Sequence, residues 1–234
     1  MSDQPRVHVG IVTYNSANTI GDCLSTLSDA LGSLAPLTTV AVVDNASTDE
    51  TLRRIRSRPD PGVGGLVVVA NPSNRGYAAA MNQALQASAG DPGQRQDASG
   101  PHELSGRECF LIALNPDTWL PRGSLERLVR RLQAEPDAAL IGPKLIDSHG
   151  RYQQSAHRFP SPAQAAAASF LPQRLRTSAL GRHFLLEGAG PPATLTAVDW
   201  VIGAVHVMRA SAVAQSAGQG QAGSCPYSER WFIY

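Results

Sequence analysis

The sequence predicts an α/β fold: a mostly parallel sheet flanked by helices, followed by a smaller mixed region. Three observations carry that prediction. Short apolar runs alternate with segments whose apolar residues fall at helical spacing throughout the first half of the chain. The runs are nearly continuous in Val, Ile, Leu and Ala rather than alternating with polar residues, as strands buried on both faces are. Beyond about residue 139 the apolar pieces shorten and turn residues crowd between them, which reads as hairpins.

Val7 to Val12 form the first run, which ends at Thr13-Tyr14-Asn15, and Ile20, Leu24, Leu27 and Leu31 then recur at helical spacing. Ser16 or Asn18 is placed to cap that helix, and Pro36 lies in the connection after it. Thr39 to Val43 is the second strand. It stops at Asp44-Asn45-Ala46-Ser47-Thr48-Asp49-Glu50, where Ser47 and Glu50 stand at capping-box spacing ahead of Leu52 and Ile55 and predict a second helix. Leu66 to Ala70 reads as a third, buried strand, Asn71 to Asn74 as a turn, and Tyr77, Met81, Ala84 and Leu85 as the apolar stripe of a third helix. From about Ser88 to Glu108 the chain is rich in Gly, Pro, Gln and charge and has almost nothing to bury, so a mobile surface insertion is expected there. Cys109 to Leu114 is the fourth strand, ending in Asn115-Pro116-Asp117-Thr118, and Leu125, Leu128 and Leu132 mark the following helix.

Residues 1–138 thus form one α/β half and residues 139–234 a second region. The latter holds apolar pieces at Ala139 to Ile141, Lys144 to Ile146 and Val201 to Met208, a turn at Asp147-Ser148-His149-Gly150, and a weak helix over Ala163 to Ala168. The chain closes on SCPYSERWFIY, an aromatic end that a domain in water rarely leaves uncovered.

Composition excludes several functions. With 20 Lys+Arg against 19 Asp+Glu in 234 residues and no run of like charge, no nucleic-acid partner is expected. Cys23, Cys109 and Cys225 are odd in number and far apart, against both a disulfide framework and a zinc site, and point to the cytoplasm. No signal peptide or membrane span is read. His157, His183 and His206 lack metal-ligand spacing, and neither a nucleophile-elbow serine, a P-loop nor a glycine-rich dinucleotide turn occurs.

In an open α/β sheet ligands collect at the carboxyl ends of the strands. Each strand here delivers polar residues to that edge: Thr13-Tyr14-Asn15, Asp44-Asn45, Asn74-Arg75-Gly76, and Asn115 with Asp117. Asp44 is placed to accept from a ribose hydroxyl or a pyrimidine N–H, and equally to close a turn or cap a helix. Asp117 suits a Mg2+ or Mn2+ ion, which takes few protein ligands and fills its shell with phosphate and water; a Pro-Asp type I turn would use the same residues. Asn74-Arg75-Gly76 opens a helix whose free amides and guanidinium favour phosphate, or forms a glycine turn with a solvated Arg.

The segments Val9 to Asn15, Val42 to Asp49, Asn74 to Asn82 and Leu114 to Thr118 resemble, in order, the signature segments of family 2 glycosyltransferases, in their rhamnosyltransferase-like branch. Val198-Asp199-Trp200-Val201-Ile202-Gly203-Ala204 resembles the family's acceptor-side segment. The resemblance implies a GT-A, Rossmann-like fold and a nucleotide-diphosphate sugar donor, dTDP- or UDP-linked, with Thr13, Tyr14, Asn15 and Asp44 around the base and ribose. It places Asn74, Arg75, Gly76 and Asn115 near the donor, Asp117 on a divalent metal, and Asp199 and Trp200 on the acceptor side. It implies transfer with inversion to a glycan or lipid-linked acceptor, as in cell-surface polysaccharide synthesis. Arg174, Arg176 and Arg182 near Phe170, Leu171 and Phe184 suit a peripheral contact with the inner face of the membrane, or an ordinary solvated face.

The family's general base follows an aromatic run that Glu229 to Tyr234 resembles. The base is therefore expected beyond Tyr234, and the second region is expected to be C-terminally incomplete. A second reading is a catalytically inactive nucleotide-sugar-binding module.

Overall fold

The computed structural model describes residues 4–57, 62–89, 108–153 and 195–217, with shorter stretches at 155–157, 159, 161–162, 169–170, 172–176 and 231–233. Most of the expected insertion, the Ala163 to Ala168 helix, and the closing segment apart from Trp231–Ile233 lie outside the described residues, as do Cys225, Leu171, Arg182, His183 and Phe184.

The elements run β1 Arg6–Thr13, α1 Ile20–Leu31, β2 Thr38–Asp44, α2 Thr51–Arg56, β3 Gly65–Ala70, α3 Tyr77–Ala89, β4 Cys109–Leu114 and α4 Ser124–Gln133. They continue as β5 Leu140–Gly142, β6 Leu145–Ile146, β7 Tyr152–Gln153, β8 Ala156–His157, α5 Gln173–Arg176, β9 Thr196–Val198, β10 Trp200–Val201, β11 Val205–Arg209, α6 Ala210–Ala217 and β12 Trp231–Ile233. They fall into two compact units, Met1–Leu140 with Gly203–Glu229, and Ile141–Ile202 with Arg230–Tyr234.

In the first unit the strand order is β3-β2-β1-β4-β11. The first four strands are mutually parallel and β11 runs antiparallel to β4. The chain steps one way from β1 to β3, then jumps back past β1 to β4. Right-handed crossovers therefore put α1 and α2 on one face and α3 on the other. The apolar runs are what this sandwich requires: seven of the eight residues of β1 and six of the seven of β2 are buried. Phe110, Ile11, Ile20, Leu24, Ile112 and Leu114 are among the largest side chains shut completely away from water. Truncating one of comparable size to Ala costs about 2–5 kcal/mol. Gly10 lies under α3, where an added Cβ would come within 3.0 Å of Leu85, so this central-strand glycine reflects close helix packing.

Four local expectations need correction. The strand Leu66 to Ala70 is only half-buried, because β3 stands at the end of the strand order with one neighbour. No capping box forms: the Ser47 hydroxyl is taken by Asp44, and α2 starts only at Thr51, whose N–H donates to Asp49 Oδ1 at 3.0 Å. Neither Ser16 nor Asn18 caps α1 with its side chain; the Ser16 carbonyl accepts from Thr19 and Ile20 instead. The apolar run through Val201 to Met208 is broken at Gly203-Ala204 into β10 and β11.

In the second unit β6 and β7 form a hairpin closed by the Asp147 turn. Asp147 Oδ1 accepts from the His149 and Arg151 N–H groups at 2.9 Å each, and the Arg151 N–H first, then the Arg151 guanidinium, hold its carboxyl below the usual carboxylate range. β8 pairs antiparallel with β10, and β9 with β12. Among the described residues no helix is long and apolar enough to cross a membrane.

Candidate functional site

The strand order reverses between β1 and β4, and the crevice beyond the carboxyl ends of those two strands is where such a sheet binds ligands. A cavity of about 520 Å³ opens at this place, a size that suits a small organic ligand. Thr13 pairs with Asp44 and Ile11 with Leu114, so the ends of β2, β1 and β4 lie side by side, within about 10 Å at the strand spacing of a sheet.

Of the sequence-predicted residues, Tyr14, Asn15, Asn74, Asn115 and Asp117 line this cavity. Asn45, Tyr77, Ser16, Thr19, Val12 and Pro116 line it as well. Thr13, Asp44, Arg75 and Gly76 are not among its lining residues. Asp199 and Trp200 belong to the second unit, where Asp199 Oδ2 accepts from the Phe159 N–H at 2.8 Å and Trp200 pairs with His157.

The loop after β1 is held from below and from the side. Asp44 is 3% exposed, accepts from the Thr13 hydroxyl at 3.0 Å through Oδ1, and receives both the Ser47 hydroxyl and the Ser47 N–H. Asn15 sits at φ 50°, a left-handed conformation that Asn tolerates better than most residues. Its N–H donates to the Ser47 hydroxyl, and its Oδ1 accepts from the Thr48 N–H, both at 2.9 Å. Asp49 completes the staple by accepting from Ala17 N–H and from the Thr51 hydroxyl and N–H. The Thr51 hydroxyl is the main cause that holds the Asp49 carboxyl below its ordinary range.

On the other side a chain of carboxamides fixes the turn before α3. Gln83 and Asn71 exchange two hydrogen bonds, Asn71 donates to Asn45 Oδ1 at 3.2 Å, and Asn45 Nδ2 donates to Asn74 Oδ1 at 2.8 Å. Asn45 Oδ1 also accepts from the Arg75 N–H at 3.0 Å. Gly76 follows at φ 80°, a left-handed turn that glycine adopts without strain. Arg75 is exposed, and among the described residues its guanidinium makes no ion pair. Tyr77 is 50% exposed at the cavity wall instead of lying in the apolar stripe of α3, and its hydroxyl donates to Asn115 Oδ1 at 3.2 Å.

Among the described residues Asp117 is the only charged one in the cavity lining. It is exposed, and among the described residues its carboxylate has no hydrogen-bond or ion-pair partner. Among the described residues no group of three His, Cys, Asp or Glu gathers to cage a metal. A hard oxygen donor in an open cavity, without a partner among the described residues, fits Mg2+ or Mn2+, which bind through one or two carboxylates and complete their shells with phosphate and water.

Residue types at strand ends revealed Tyr14, Asn15, Asn74, Asn115 and Asp117. Asn45 was visible in the sequence only as half of an Asp-Asn pair, and Tyr77 was hidden by falling in helical register with Met81 and Ala84.

The family model for glycosyl transferase family 2 matches residues 8–189. N-acetylglucosaminyl-diphospho-decaprenol L-rhamnosyltransferases from two strains of Mycobacterium tuberculosis are 29% identical over 227 residues, 95% of this chain and 65% of theirs. The chain thus spans about 65% of the length of these curated relatives. A mannosyltransferase of Pyrobaculum calidifontis, solved in complex with GDP-Man and Mn2+, superposes with a TM-score of 0.53 at 20% identity, over 91% of this chain and 46% of that one. This last likeness concerns the fold.

Proposed function

Because this chain belongs to glycosyl transferase family 2, in its rhamnosyltransferase-like part, we propose that the cavity between the ends of β1 and β4 takes a nucleotide-diphosphate sugar, dTDP- or UDP-linked, for transfer to a glycan or lipid-linked acceptor with inversion. The observation that carries this reading is the Asp117 carboxylate, without a partner among the described residues, in a cavity lined besides by asparagine amides, hydroxyls, tyrosine rings and the apolar Val12 and Pro116. A diphosphate brought there meets one acid and no lining cation, an arrangement that favours it only when a divalent ion lies between them. Asp117 would hold Mg2+ or Mn2+, and the ion would neutralise charge gathering on the departing diphosphate.

The chain's own residues divide the remaining work. Tyr14 and Asn15 offer a ring face and a carboxamide to the nucleoside, on a loop that Thr13, Asp44 and Ser47 hold from beneath. Arg75, without an ion pair among the described residues and beside the start of α3, supplies positive charge for phosphate. Asn74 and Gly76 set the turn that presents it. We assign Asp199 and Trp200 to the acceptor side on the resemblance of their segment. A lipid-linked acceptor, as named for the mycobacterial relatives, would bring the protein to the membrane surface at the inner face.

Calorimetric titration with UDP and with dTDP in the presence of Mn2+ tests the reading. Wild type should bind at least one nucleotide, and Asp117→Ala should lose tenfold or more of that affinity at about 1.4 kcal/mol per decade. Equal binding by both proteins would remove Asp117 from its role.

A further inference from the structure

We propose that Tyr77 is a positioning residue of the donor cavity: its hydroxyl holds the Asn115 carboxamide so that the amide N–H2 is the end available to the donor. The inference rests on the reading of the cavity given above.

Both residues line the cavity, from opposite ends of the four parallel strands: Tyr77 follows β3 and Asn115 follows β4. The main chain is fixed at each. Asn115 N–H donates to the Ala204 carbonyl at 3.0 Å, and its own carbonyl accepts from Thr118 N–H and Cys23 Sγ. Beside Tyr77, Asn45 receives the Arg75 N–H and donates to the Gly76 carbonyl at 3.4 Å. With both backbones held, the 3.2 Å contact between the Tyr77 hydroxyl and Asn115 Oδ1 sets the side-chain torsion of Asn115.

Tyr77 makes this contact at the expense of core packing, since half of its surface stays exposed while Met81, on the same helix face, is 6% exposed. The chemical consequence follows from the carboxamide. The tyrosine hydroxyl occupies one lone pair of the amide oxygen and fixes which end of the group faces it, so the N–H2 is presented as a hydrogen-bond donor that serves a phosphate or hydroxyl oxygen and repels a cation. In this arrangement Asn115 meets the donor molecule through its N–H2, while the charged ligand for a cation is Asp117.

The test is a double-mutant cycle on the full chain. Wild type, Tyr77→Phe, Asn115→Ala and the double variant are titrated with UDP and with dTDP at saturating Mn2+, and with Mn2+ alone. Tyr77→Phe keeps the ring and removes only the hydroxyl. It should weaken nucleotide binding about three- to tenfold, the worth of one net hydrogen bond, and leave Mn2+ binding unchanged. In the Asn115→Ala background the same substitution should have no further effect. Wild-type affinity in Tyr77→Phe, or losses that multiply in the double variant, would overturn the role of Tyr77. Failure of the wild type to bind either nucleotide would instead strike the reading of the cavity itself, so the two failures are distinguishable.

Discussion

Asp44 shows how a single residue serves both the fold and the site. Its carboxylate is buried at 3% exposure and engaged by Thr13 and Ser47, so it acts as the keystone under the β1 loop. Asp44→Ala would strand those donors in the interior and should cost about 2–4 kcal/mol in urea unfolding; a loss under 0.5 kcal/mol would contradict the keystone role. Cys109 provides a second measurement at this scale. Burial raises its thiol to about 11, with Arg6 opposing, so at pH 7.5 it is almost entirely protonated and slow to react. Peptide mapping after brief iodoacetamide treatment should find Cys109 largely unmodified, and rapid labelling would show a more open β4 than the structure has. What the sequence displayed at this scale was chemistry at strand ends. Asp117 and Asn115 were singled out by their place after an apolar strand and by the family resemblance, although Asn115-Pro116-Asp117-Thr118 suits a type I turn as well. Asn45 was named only with Asp44 at the end of its strand, and Tyr77 was read as core because it falls in helical register; its 50% exposure, its place in the cavity wall and the 3.2 Å contact to Asn115 distinguish it from core.

Among the elements, the parallel strands β1, β2 and β4 were the most legible, since a strand covered on both faces is apolar throughout and these runs are too short for helices. Boundaries set by hydrogen bonds between distant segments were not legible. The Ser47 and Glu50 spacing satisfies the capping-box pattern, yet Asp44 sits directly before the turn and takes the Ser47 hydroxyl first. The second half of the chain hid a larger feature, the return of β11 and α6 to the first unit. Arg209 secures that return. From the end of β11 its guanidinium donates to the carbonyls of Leu132, Glu135 and Ala138 at the end of α4, pairs with Glu108, and lies 5.7 Å from the centre of the Phe110 ring. Arg209→Met keeps the aliphatic stem but takes the side-chain donor from three carbonyls, of which Leu132 and Glu135 keep a main-chain donor. It should lower stability by about 2–4 kcal/mol, whereas Arg209→Lys, with charge but no fork, should recover part of that loss. Equal urea midpoints for wild type and Arg209→Met would show that β11 is held by its strand pairing alone.

For the whole molecule the consequence is a stability that depends on pH through a residue far from the cavity mouth. His8, in the middle of the sheet on β1, is 6% exposed, with Nδ1 at 2.7 Å from the Ser88 carbonyl and Nε2 lacking a partner among the described residues. Burial is the main cause that lowers its pKa from 6.5; the Ser88 bond opposes the shift and Arg6 adds to it. The folded protein thus keeps His8 neutral where the unfolded chain has already taken up a proton. The stabilisation is complete above pH 6.5 and is lost as the pH falls from there through the lower folded pKa. A second loss comes at more acid pH, as Glu126, held below 4.5 chiefly by the Ser33 hydroxyl, and the lowered Asp49 and Asp147 give up their bonds. Thermal melts followed by circular dichroism should therefore show Tm declining from pH 7.5 to 5.5, before any carboxylate titrates. His8→Gln should be less stable at pH 7.5, because it disturbs a packed site, but nearly flat across that interval. A slope as steep in the variant as in the wild type would assign the proton uptake to a group other than His8.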